Sequence, residues 1–75
     1  MESKFNEVYD IAESIIITHY KKEMKKVIET KNMDDFNHVV YKTKRYIVDN
    51  QLVEDDEFLT HLITKSLSNL ILERV

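Results

Sequence analysis

The chain has no cysteine, no glycine and no proline in its 75 residues. Without cysteine there are no disulfides, zinc-thiolate sites, thiol nucleophiles or redox switches, and the composition fits a reducing cytoplasm. Lack of glycine removes the phosphate-cradling loops that nucleotide-binding motifs require. Together with the lack of proline, it also removes the residues that make most tight turns and helix stops, which points to long helices joined by short polar segments. Long apolar runs are missing too. The longest are short stretches such as Ile15-Ile16-Ile17, far below the roughly 20 residues of a membrane span. Met1-Glu2-Ser3-Lys4-Phe5-Asn6-Glu7 has neither the basic start nor the apolar run of a signal peptide. The expectation is a water-soluble cytoplasmic protein that does not engage a membrane.

What remains is one domain, residues 1–75, of a size that buries only about 60% of the surface its unfolded chain exposes. Ordering each residue costs about 1 to 2 kcal/mol, and no disulfide offsets that cost. Apolar residues recur at helical spacing throughout, so the fold class is all-α. Ser3 is placed to cap a long first helix that runs to about Thr30, with Glu7 and Asp10 near its positive end and a lysine-rich last part. Asn32 serves as its stop. Asp34 or Asp35 then caps a second helix with Phe36, Val39, Val40, Thr43, Tyr46 and Ile47 on one stripe, ending at Asp49-Asn50. A third helix begins near Asp55 and carries Leu59, Leu62, Ile63, Leu67, Leu70 and Ile71. The expected architecture is a three-helix bundle with a long first helix and two shorter ones.

The widths of the apolar faces bear on assembly. The second helix is apolar over about 120°, as one core-facing side requires, whereas the third is apolar over about 220°, a width typical of a helix enclosed by neighbours. In the first helix the amino half is apolar over about 160°, and the carboxyl half, with Ile17, Tyr20, Met24, Val27 and Ile28, faces roughly a quarter turn away. A helix of about 26 residues is about 39 Å long and would overhang a second helix of about 23 Å. Phe5, Val8, Tyr9, Ala12 and Ile16, with Leu59, Ile63, Leu67 and Ile71, are therefore candidates for a protein interface. A two-fold homodimer is the favoured way to cover them. The competing arrangement folds the third helix back over the overhang, with Leu52 and Val53 plugging the joint.

Chemical sites are sparse. His38 and His61 fall on polar helix faces, and His19 falls within the apolar arc of the first helix, where a core histidine is expected. No three convergent metal ligands are discernible, no nucleophile-base pair is present, and neither a cofactor nor catalysis is expected. Lys21, Lys22, Lys25 and Lys26 lie level with Lys42 and form a basic patch, with Lys44 and Arg45 beside it. Acidic residues, including the run Glu54-Asp55-Asp56-Glu57, gather toward the other end. That run, preceding a third helix with only Lys65 and Arg74 as basic residues, argues against a DNA-reading helix-turn-helix. Tyr41, Lys44, Arg45 and Val48 share a face of the second helix outside its core stripe and form a second candidate surface. The reading is a non-catalytic regulator, inhibitor or adaptor that packs against itself and another protein, of the kind mobile genetic elements encode. Its alternatives are a nucleic-acid-associated regulator using the lysine-rich end and a structural assembly subunit.

Overall fold

A computed structural model describes residues 2–54 and 57–74, with side chains from Asn6 onward. Among the described residues the protein is all-helical, with α1 Glu2–His19, α2 Lys21–Thr30, α3 Met33–Asp49 and α4 Glu57–Arg74. The expected count of three is corrected to four because the long first helix breaks at Tyr20. There the backbone turns to φ −124°, ψ 25°, outside the helical basin. The ladder is interrupted only locally, since Tyr20 N–H still donates to Ile16 O and Met24 N–H to Tyr20 O, both at 2.9 Å.

Two physical reasons converge on that break. Ile15-Ile16-Ile17-Thr18 is a β-branched run that crowds the preceding helical turn. The apolar stripe changes phase across it, so a straight helix could not bury both halves. The bend also keeps the molecule short, since a straight helix over residues 2–30 would be about 44 Å long and the molecule measures 34 Å in its longest dimension. With the bend, α1 packs chiefly on α4 while α2 packs chiefly on α3, and Met24 and Val27 enter the same core as Ile16.

With no glycine available, the two helix exits place other residues in the left-handed region: Lys31 at φ 54° and Gln51 at φ 56°. Lys31 N–H donates to Val27 O at 2.8 Å and closes α2. After α3, Leu52 N–H reaches Ile47 O and Gln51 N–H reaches Val48 O, both at 3.0 Å, the paired pattern of a Schellman exit. The cap of α3 differs from expectation. Asn32 itself is the N-cap, its Oδ1 accepting from Asp34 N–H at 2.8 Å, and Asp34 and Asp35 instead occupy the first turn, where the helix dipole favours carboxylates. The proposed cap Ser3 and the proposed third-helix start Asp55 lie outside the residues whose side chains are described.

α2 packs chiefly on α3, and α4 packs on both α1 and α3. Asn69 Nδ2 donates to the Tyr9 hydroxyl and ties α4 to α1. Val8, Ala12 and Ile16 of α1 and Leu59, Ile63 and Leu67 of α4 are each 5% exposed or less. All six were candidates for an interface between chains, and they lie instead in the core that the helices of one chain close. The wide arcs reflect a helix wedged among three neighbours, since α4 contacts α1, α2 and α3. Of the remaining candidates, Tyr9 and Ile71 are half-buried, and the Phe5 side chain lies outside the described residues. Val39, Val40, Thr43 and Ile47 of α3 close the core, with Thr43 Oγ1 donating to Val39 O at 2.8 Å. No described helix is long and apolar enough to cross a membrane.

Candidate docking surface

Once the core is closed, the large apolar side chains left exposed are Ile17, Met33, Tyr41, Leu52, Phe58 and Leu72. Two of them meet. Met33, at the start of α3, is 64% exposed and Leu72, in the last turn of α4, is 72% exposed. They flank a groove of about 370 Å³ where α2 ends, α3 begins and α4 ends. Val27, Ile28, Phe36 and Ile71 contribute its apolar lining, and Lys31 is its one charged lining residue. The local sequence explains the opening. The left-handed turn at Lys31 and the cap at Asn32 reverse the chain within two residues, which leaves Met33 in the first turn of α3, off the stripe that fills the core.

The other hollows are more polar. Lys22, Lys26, Lys42 and His38 border one of about 350 Å³ between α2 and α3, but Glu23 and Asp35 share it. Lys26 Nζ stands 4.0 Å from Asp35 Oδ1, and Lys42 Nζ lies 6.0 Å from the Tyr20 ring centre. Lys21 and Lys25 are exposed and do not line this hollow. Of the five lysines of the proposed patch, this hollow gathers Lys22, Lys26 and Lys42 and mixes them with two carboxylates. At the α2 start, burial raises the Tyr20 phenol above its ordinary value of 10.0, with the Glu23 carboxylate and then Tyr46 pushing the same way. A third hollow, between α1 and the end of α3, is lined by Asp10, Ile11, Ser14, Ile15, Thr18, His19, Tyr46 and Leu52, and a fourth by Asn6, Tyr9, Phe58, His61, Leu62 and Lys65.

His19 is not a core histidine. It is exposed, with its ring 4.7 Å from the Tyr46 ring, because the break at Tyr20 ends α1 there and carries the following apolar residues elsewhere. His38 and His61 are exposed. Among the described residues, no group of three His, Asp or Glu side chains is placed to hold a metal ion. On the proposed second surface Tyr41 is 59% exposed, Arg45 pairs with Asp49 at 3.6 Å, Lys44 is half-buried, and Val48 packs partly into the core.

Sequence reasoning missed Met33 and Leu72. Leu72 had a readable signal, since it falls off the core arc of α4 on the side of His61 and Lys65. The chain matches no family model, no curated protein and no solved structure, so a functional reading rests on the chain's own geometry.

Proposed function

We propose that this protein is a non-catalytic protein-binding module that acts by helical packing, as a regulator, inhibitor or adaptor, and that the groove between Met33 and Leu72 is its docking surface. One observation carries the reading: two large apolar side chains stand exposed on the rim of an apolar groove whose lining has no acid-base pair and one charge. Contiguous apolar surface of this kind is costly to leave in water and commonly marks an interaction site. Self-association belongs to the same reading, with the interface moved from the α1–α4 contact, which is core, to the groove. The nucleic-acid alternative is disfavoured because Glu23 and Asp35 sit among the lysines that would meet phosphate. A structural assembly subunit would use the same groove.

The test is a photo-crosslinking amino acid placed at Met33, with Thr60, on the exposed face of α4, as control. Discrete protein adducts from position 33 and none from position 60 are expected in the cells that make the protein. Absence of adducts, or equal adducts from both positions, would remove the groove from the reading.

A further inference from the structure

The joints of the chain are not alike. At Lys31 and Gln51 the backbone turns left-handed and exit hydrogen bonds lock it there, and Asn32 caps the helix that follows the first of them. Tyr20 is built differently. Its side chain does not cap α2, and its own N–H and carbonyl keep their helical partners, Ile16 O and Met24 N–H. A change of about 60° in φ and about 70° in ψ at this one residue returns it to the helical basin. The chain has no glycine or proline, so neither flank interrupts a continuous helix. The Tyr20 hydroxyl donates to Lys42 O at 3.5 Å, the long limit of a hydrogen bond, so the bend has only a slight latch of its own.

The phase of the apolar residues decides what a straightened helix can cover. The buried residues of α1, Val8, Ala12, Ile15 and Ile16, and those of α2, Met24 and Val27, are centred roughly a quarter turn apart on a continuous helix. Such a helix cannot bury both sets in one chain. It can bury each in a different one. Straightening at Tyr20 carries α1 away from its own chain and uncovers the side of α4 on which it packs, while α2, α3 and α4 stay together because the hinge precedes them. The α1 of a second copy fills the vacated side, and the second copy is filled in return. Each core contact of the closed form is then remade between chains, so exchange costs little beyond association and the fixing of two hinges.

We propose that Tyr20 is a hinge through which two copies of this chain exchange α1, with residues 2–30 of each forming one long helix whose first part packs on the α4 of the other. This differs from packing of closed copies at the groove, and it does not rest on the groove being a docking surface. Every residue that lines the groove follows the hinge in the chain, so each half of the dimer keeps its groove. Where the groove docks a partner, the exchanged dimer offers two grooves on one body, and a partner with two matching segments is held with avidity.

The absence of cysteine makes the test direct. Tyr9 and Asn69 join α1 to α4, so Tyr9→Cys with Asn69→Cys puts one thiol on each side of the contact that exchange remakes. The double variant is refolded at high concentration, its dimer is isolated by size exclusion with light scattering, and a short bis-maleimide is added. Links between chains are expected in the dimer, and links within the chain in the monomer. A second measurement compares Tyr20→Ala with Tyr20→Gly, which both lose the phenol and differ in helical preference. Dimerisation should be about tenfold or more stronger with alanine, because glycine disfavours a helix interior and two hinges straighten per dimer. A monomer at every concentration overturns the proposal. A dimer linked only within its chains overturns it too, in favour of closed copies in contact, and so does equal dimerisation of the two Tyr20 variants. The Met33 photoprobe reads the groove separately, so docking can stand where exchange fails, and exchange where docking fails.

Discussion

The α1–α4 contact and the groove at the far end of α4 are made of the same kind of residue and differ in what covers them. Along the contact, Val8, Ala12 and Ile16 meet Leu59, Ile63 and Leu67 with almost no surface left to solvent. At the groove, Ile71 is half-buried and Leu72 exposed, where the chain reverses from α2 into α3 at Lys31 and Asn32. A wide apolar arc therefore counts how many sides of a helix are covered and does not say which chain covers them. An isolated leucine off the arc, such as Leu72, is the better pointer to a surface left for another molecule.

The largest test of that contrast is truncation of one leucine on each side of it. Leu67→Ala should cost about 3 kcal/mol, the usual loss when a fully buried leucine leaves a cavity. This is a large share of the roughly 5 to 15 kcal/mol that holds small domains folded. Leu72→Ala should change stability by less than about 0.5 kcal/mol, as surface substitutions do. Urea denaturation of both variants at a concentration where the protein is monomeric decides it. Comparable losses would mean that Leu72 belongs to the core and that the groove is closed in solution.

Much of this was legible in the sequence, and the failures have identifiable causes. The α3 stripe was readable because its spacing is regular and one of its sides is covered: Val39, Val40, Thr43 and Ile47 are buried. The phase change in the first helix was readable too. A phase change can mean two partners or a bend, however, and spacing alone does not separate them. The β-branched run before Tyr20 favours the bend. The groove was illegible because its walls come from three helix ends, and the turn that opens it relies on a lysine in a conformation that sequence rules reserve for glycine or asparagine.

Smaller effects should come from the polar groups that differ between the two regions. Asn32→Ala removes the cap that starts α3 beside the groove and should destabilise by about 1 kcal/mol. In the core, Ser66 is fully buried and its Oγ has no hydrogen-bond partner among the described residues. Ser66→Ala should therefore stabilise by about 1 kcal/mol, since it removes a desolvated hydroxyl and leaves little void. Thermal melts of the two variants should move in opposite directions. A lower melting temperature for Ser66→Ala would indicate that the hydroxyl is satisfied in solution and that the helices pack less closely there.

The smallest expected effect separates stability from docking most cleanly. Lys31 and Gln51 are both left-handed residues at helix exits, and replacing either with glycine relieves a steric cost while adding chain entropy to the unfolded state. The net gain should be about 0.5 kcal/mol at each site, because the two effects oppose each other and the left-handed strain of a side chain is the larger. Only Lys31 also lines the groove. Lys31→Gly should therefore stabilise the protein and lower the yield of adducts from a photoprobe at Met33, with the loss reduced at high salt, whereas Gln51→Gly should only stabilise. If both variants give the same adducts as the unaltered protein, the Lys31 charge plays no part in holding the partner, and the groove binds through its apolar lining alone.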